Sequence, residues 1–359
     1  MIKTFELYLI RLFLKKVFNT FVVFFALIFI LNLFEEISFF KSSEVNFFFP
    51  VLIGGLNVPS AIFEIFPFIF LIATQFFFLD LINKNELEIL KTSGLSNIRI
   101  LRTLFLTSFF LGLVLVAGFY TLSSKSKFIY LDIKNSYSND NKYLAVVKES
   151  GLWIKDEIDN NIFIITSNEI IGDLLIDVSI HEFDNEFNLI RVIQSKETNI
   201  SNYEWVIKDA LISQNNRTTH LDKEMTLLTH FNKVKINSMF SNLSSLNIPQ
   251  LLRLKKDYKS LGYSISSVDT HLHKLYSLPL FVSIMTIIVS IIMFNNKRNV
   301  SIIFHLILGI LLSVIIYYLY FLFNLLGENG KMPIILSIYL PFVILVLVAS
   351  IGMVTLNEK

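Results

Sequence analysis

Residues 84–102 read KNELEILKTSGLSNIRILR. This short charged stretch lies between two long apolar runs, and its reading decides what kind of chain this is. Glu86, Ile89 and Leu90 fall at i, i+3 and i+4, as do Leu87, Leu90 and Lys91, so residues 84–95 read as a short helix. Ser93-Gly94 ends it, since glycine is the common residue just past a helix terminus. Ser96 or Asn97 can then cap the next helix. The result is a surface helix presenting Glu86, Glu88 and Lys91. Charge and spacing leave two readings open. One is an ordinary loop that keeps two spans from translocating. The other is a handle by which a second protein moves this one.

The flanking runs are membrane spans. The chain has 359 residues, 53% of them hydrophobic and 17% charged, with 36 phenylalanines. Its mean hydropathy is +0.61. A hydrocarbon core about 30 Å thick takes roughly 20 apolar residues to cross as a helix. Windows near 17–33, 61–82 and 101–122 meet that length before the middle of the chain, and 277–294, 302–323 and 334–356 after it. The second window contains Pro67, which a membrane helix tolerates. A polar loop holding Glu35, Glu36, Lys41 and Glu44 is expected between the first two. No cleavage site follows the first run, so it reads as a retained span.

Residues 123–245 change character. Short alternating runs such as LWIK at Leu152, IFIIT at Ile162 and LIDVSIHEF at Leu175 are separated by turn residues, among them Asp184-Asn185 and Gln214-Asn215-Asn216. They predict an antiparallel sandwich or jellyroll with one apolar face. Residues 246–276 read as a mostly helical linker with a break at Gly262-Tyr263. The expected fold is therefore a membrane α-helical protein with six transmembrane helices, three plus three. An antiparallel β domain is inserted between the triplets.

Lysine and arginine set the orientation. Lys3, Arg11, Lys15 and Lys16 lie in the N-terminal arm, Lys84, Lys91, Arg99 and Arg102 in the second loop, and Lys297 and Arg298 in the fourth. The first and fifth loops hold only Lys41 and Lys331. Both termini and residues 84–102 are thus expected in the cytoplasm, and the β domain outside.

Several function classes are excluded. A net charge of +2 points to no nucleic acid, and the absence of cysteine removes disulfides and thiolate sites. No P-loop is present; Gly327-Glu-Asn-Gly-Lys331 has the wrong spacing to cradle phosphate. His271 and His273 are two apart, on different helix faces, so a metal site is not expected. No catalytic residues are expected, and no cofactor bound by the chain itself. Glu64 and His305 read as side chains reaching the interface, and no string of intramembrane acids suggests a proton relay.

ELEILKTSGLSNIRILR closely resembles the E-L-x-x-h-x-x-S-G segment of the LptF/LptG (YjgP/YjgQ) permeases of the lipopolysaccharide exporter. Val58-Pro59, Phe66-Pro67, Gly151-Leu152-Trp153-Ile154-Lys155, Met332-Pro333 and Leu340-Pro341 are similar to further strings of that family. The G-L-W-x-K string and the C-terminal third lean toward its LptG branch.

The resemblance implies an inner-membrane permease subunit that passes lipopolysaccharide to a periplasmic bridge of jellyrolls. Its partners would be an LptF-type permease, a dimer of LptB-type ATPases that use ATP and Mg, and LptC and LptA-type jellyroll proteins. Glu86 matches the family's coupling-helix glutamate, with Glu88, Lys91, Ser93 and Gly94 beside it. Spans one and five would line the lipid path. The expected lipid contacts are therefore Phe34, Lys41, Tyr317, Tyr320 and, in the β domain, Trp153. Residues 33–41 read LFEEISFFK, acidic where the family carries basic residues, which departs from the expected headgroup contacts. A different class, the ATPase-coupled FtsX and MacB proteins, places its outer domain after the first of four spans. Here it follows the third.

Overall fold

The computed structural model describes residues 4–42, 45–46, 48–137, 152–158, 160–214, 217–221, 224–233, 235–236, 242–260, 264–294 and 302–357. The chain divides into two compact units, Met1–Lys127 with Ser266–Lys359, and Phe128–Ile265. The break expected at Gly262-Tyr263 lies outside the described residues.

In the first unit the chain forms α1 (Thr4–Phe39), α2 (Phe48–Glu64), α3 (Phe66–Asn83), α4 (Glu86–Thr92) and α5 (Asn97–Val114). A π-helical turn, Leu115–Phe119, joins α5 to α6 (Tyr120–Ser136). The second unit takes the end of α6 and, after its strands, α7 (Ile248–Ser260); the first unit resumes with α8 (Ser266–Phe294), α9 (Ile302–Glu328) and α10 (Ile334–Asn357). Among the described residues six helices are long and apolar enough to cross a membrane.

Three details differ from the sequence reading. The first loop is shorter, because Glu35 and Glu36 continue α1 and residues 48–64 form a helix of their own. With 36 residues, α1 is about 54 Å long, well beyond the hydrocarbon core. Span two begins at Phe66, not at 61. Ile65 breaks the helix, and Pro67 sits in the first turn of α3, where its missing N–H is no loss. Residues 123–136 are helical and precede the strands.

Helix α8 is the axis of this unit. It packs against α3, α5, α9 and α10, and 83% of its apolar window is buried. Between membrane helices, small residues let backbones approach. Gly112 of α5 lies against Pro279 of α8, where an added Cβ would stand 2.5 Å from the proline Cα. Four residues before Gly112, the Ser108 hydroxyl meets that of Thr286 at 3.0 Å. Phenylalanines fill the α1–α3 contact: Phe13 meets Phe70 and Phe77 edge-on at 6.3 and 5.8 Å. A polar chain crosses from α1 to α6. Lys127 Nζ donates to Asn57 Oδ1 at 2.7 Å, and Asn57 donates to Asn32 at 3.5 Å. Glu36 is fully buried on the same helix as Asn32.

Among the described residues the second unit holds one antiparallel sheet of nine strands, a jellyroll-like half-barrel that agrees with the antiparallel jellyroll expected. Its strands are β1 (Leu152–Ile158), β2 (Asn161–Ser167), β3 (Glu169–Ile171), β4 (Leu174–Phe183), β5 (Leu189–Asn199), β6 (Glu204–Lys208), β7 (Ala210–Gln214), β8 (Arg217–Leu221) and β9 (Met225–Leu228). The main path runs β1-β2-β4-β5-β6-β9; β3 pairs with β4, and the β7–β8 hairpin pairs with β5. Leu152 and Ile154 are buried while Trp153 and Lys155 are exposed, the period of two that a one-faced sheet requires. Ile165, Leu175, Ile180, Ile193 and Ile207 extend the buried face. Two buried polar groups are satisfied within it. Trp205 donates its indole N–H to the Phe231 carbonyl at 2.8 Å, and Asp156 accepts from the His230 backbone N–H at 2.9 Å.

Candidate functional site

The segment between α3 and α5 is built by its two ends. Asn85, at φ +56°, turns the chain into α4 through a left-handed conformation that asparagine tolerates better than most residues. At the other end Gly94 takes φ +86°. Its N–H reaches the Lys91 carbonyl at 3.0 Å, and the Leu95 N–H reaches the Leu90 carbonyl at 3.1 Å. This paired 5→2 and 6→1 closure is a Schellman motif. No heavy atom lies within 4 Å of a Cβ built on Gly94, so the backbone angle and not space demands the glycine. Ser93 reinforces the end by donating its hydroxyl to the Ile89 carbonyl at 2.7 Å. Ser96, not Asn97, caps α5, accepting from the Arg99 N–H at 3.4 Å.

Seven residues of helix are therefore held at both ends. Leu87 and Leu95 bury the inner side, while Glu88, Ile89 and Lys91 are exposed. Glu86 is half-buried and already engaged: the Tyr8 hydroxyl of α1 donates to its carboxylate at 2.5 Å. The Lys91 ammonium stands 5.2 Å from the centre of the Phe294 ring at the end of α8. Partial loss of water there holds its pKa below the ordinary lysine value, with Glu88 pulling the other way. Deeper in, Lys16 of α1 pairs with Asp80 of α3 at 2.6 Å. The arrangement leaves an exposed carboxylate, Glu88, and the Lys91 cation on the surface of α4. It also ties α4 to α1 and α8.

The residues expected to meet lipid are dispersed. Phe34 projects from α1, 68% exposed, and Lys41 is exposed in the short 3₁₀ turn after it. Tyr317 is partly exposed on α9. Tyr320, on the same helix, is instead packed between Phe281 and Phe342, with ring centres 4.5 and 5.7 Å away. Trp153 lies on the polar face of β1, opposite Leu152 and Ile154. The apolar face of the sheet is filled by the domain's own side chains. A cavity of about 580 Å³ in this unit has a mixed lining, with Asp177, Lys196, Asp209 and His220 beside Val178 and Leu211. His271 and His273 turn to different partners, the hydroxyls of Tyr120 and Tyr339. Among the described residues no cluster could hold a metal ion. The side chain of His305 lies outside the described residues.

Comparison with known proteins decides what this arrangement belongs to. The family described as "Lipopolysaccharide export system permease LptF/LptG" matches residues 7–355. The chain belongs to this family. A curated relative, the lipopolysaccharide export system permease protein LptG of Haemophilus influenzae, is 21% identical over 329 residues, covering 88% of each chain. As an LptF/LptG member with six apolar helices, the chain is a multi-pass inner-membrane protein. It is a permease component of a transporter and not itself an enzyme. Sequence reasoning missed Tyr8 and the Lys16–Asp80 pair. Tyr8 carries no local signal, since its partner is 78 residues away. Asp80 sits in a span as the kind of intramembrane charge that is usually paired, and that signal was available.

Proposed function

We propose that this LptF/LptG member is the LptG-type half of an ATP-driven exporter that lifts lipopolysaccharide out of the inner membrane and passes it to a periplasmic jellyroll bridge. An LptB-type ATPase dimer supplies the work, using ATP and Mg. An LptF-type permease completes the membrane path, and LptC and LptA-type proteins receive the lipid. Both termini and α4 face the cytoplasm, and the β domain faces the periplasm. The observation that carries this reading is the capped helix α4, whose first residue is tied to α1. A push on Glu86, Glu88, Lys91 or the Ser93-Gly94 corner would be handed to α1, a wall of the proposed lipid path. Phe34, Lys41 and Tyr317 are the membrane contacts proposed for the lipid; Tyr320 would join them only if Phe281 and Phe342 part from it, and Trp153 would meet the lipid from the exposed face of β1. Moving acyl chains through the β domain requires its apolar face to open, since leaving each CH₂ in water costs about 0.8 kcal/mol.

Glu86→Lys tests the coupling. Expected is loss of the co-purifying ATPase and of lipopolysaccharide export at normal expression, with Glu86→Gln intermediate. Export unchanged by Glu86→Lys would refute Glu86 as the contact. Photo-crosslinkers placed between residues 152 and 228 test the lipid route. Failure to capture lipopolysaccharide at any of them would refute passage through the β domain.

A further inference from the structure

On a different side of the helical unit, α5, α8 and α10 leave a cavity of about 290 Å³ between them. Leu101 and Phe105 of α5, Ile284 and Ile287 of α8, and Val346 and Ala349 of α10 line it. The walls are almost wholly apolar, with one strong exception, Arg102. Arg102 lies five residues past Asn97, the first residue of α5, so it stands about 8 Å along the helix from the end that joins the charged segment. It is exposed, and among the described residues it has no hydrogen bond or ion pair. Arg99, one turn earlier, is engaged differently, standing 5.7 Å from the centre of the Phe5 ring.

A guanidinium does not lose its proton, and here its neighbours along the groove are apolar side chains. It is costly there unless it reaches an anion or the headgroup layer. The groove runs from Ile98 to Phe105 along α5 and from Met353 to Val346 along α10, about 10 Å in each case. A helix is itself about 10 Å across and would not enter such a space, whereas a single acyl chain would. An acyl tail leaves a phosphate at the level of an arginine, and a guanidinium fork matches phosphate oxygens in pairs. We propose that this groove binds an anionic phospholipid of the inner leaflet, with one acyl chain along α5, α8 and α10 and its phosphate on Arg102. The inner-leaflet assignment rests on the cytoplasmic placement of residues 84–102; the lipid chemistry does not.

The chain's two tryptophans, Trp153 and Trp205, both lie in the β domain, so a tryptophan in the groove reports separately once those two are replaced by phenylalanine. Phe105→Trp in the full chain would be reconstituted into symmetric vesicles containing brominated phosphatidylglycerol or brominated phosphatidylcholine, and fluorescence quenching followed against mole fraction. The expected result is half-quenching at about fivefold lower mole fraction for phosphatidylglycerol, the scale of one arginine near an anionic surface. Arg102→Gln should erase the difference. Val346→Trp reports from the opposite wall if Phe105→Trp does not fold. Equal quenching by the two lipids, or a preference that survives Arg102→Gln, overturns the proposal. Symmetric vesicles make the readout independent of orientation. Orientation is checked separately by labelling a cysteine introduced at Lys84 from either side, so an error there would move the leaflet and leave the lipid preference standing.

Discussion

Gly112→Ala is the sharpest test of how the helical unit is packed. A Cβ at this position would stand 2.5 Å from the Cα of Pro279, 3.0 Å from its Cβ and 3.1 Å from the Val282 Cγ2, whereas ordinary contact begins at 3.4 Å. The nearest atom is backbone and cannot swing aside, so α5 and α8 must part by nearly an ångström. Overpacking of this kind costs about 1–3 kcal/mol. The same movement stretches the Ser108–Thr286 bond beyond hydrogen-bonding range, and such bonds between membrane helices average about 0.6 kcal/mol. Alanine's better helix propensity returns about 1 kcal/mol. The net expectation is a loss of about 2 kcal/mol. It would be measured by titrating the purified full chain in mixed micelles with dodecyl sulfate and following helicity by circular dichroism. Gly118→Ala is the control, because a Cβ there meets no heavy atom within 4 Å. If the two variants unfold at the same midpoint, the close approach is not what the geometry says it is.

Other perturbations address the charged segment and the β domain. Tyr8→Phe frees the Glu86 carboxylate; for a half-exposed bond the gain is about 1 kcal/mol, so a co-purifying ATPase should bind roughly fivefold more tightly, and fivefold weaker binding would mean that Tyr8 instead orients Glu86 for its partner. Gly94→Ala should destabilise the full chain by about 1 kcal/mol through its left-handed backbone alone, with Gly94→Asn recovering part of it. Unchanged dodecyl sulfate midpoints in both would contradict the backbone argument. In the β domain, the Asn188 side chain and N–H hold the Asp184 carboxyl below its ordinary 3.8, helped by the Glu186 N–H. A depressed pKa stabilises the turn above the ordinary value, and that support is lost as pH falls through the depressed one. Hydrogen exchange at Glu186 and Asn188, corrected for intrinsic rate, should therefore accelerate only below about pH 4, and Asp184→Asn should accelerate it at every pH.

What the sequence shows and what it hides follow from distance along the chain. Hydropathy reveals the six spans, because membrane crossing is a requirement on each window separately. The caps of residues 84–102 are equally local: Ser93, Gly94 and Ser96 act on carbonyls and amides within five residues. Helix α2 was hidden by Pro50, Gly54, Gly55, Asn57 and Pro59, each a helix breaker in isolation. Pro50 is harmless in a first turn, and Gly54 fits against the backbone of Leu33 and Asn32. The acidic pair Glu35-Glu36 looked like a loop because a buried glutamate is not expected without neighbours that only the fold supplies. Trp153 and Lys155 could be placed on the polar face by period alone. That Tyr320 packs between Phe281 and Phe342 could not, since those contacts come from two other helices.

The π-helical turn at Leu115–Phe119 has a consequence for how one long rod serves two sets of neighbours. A helix advances about 100° per residue, so one inserted residue rotates everything beyond it by that angle. Before the turn, Ser108 and Gly112 face α8. Beyond it, Tyr120 meets His271 of α8, and Lys127 reaches Asn57 of α2. The insertion works as a change of phase, like an offset cut into a shaft. Any rotation of α5 about its axis would turn α6 by the same angle but act through a face about 100° round from the one α5 presents, so the two halves of the rod need not present the same face to be driven together.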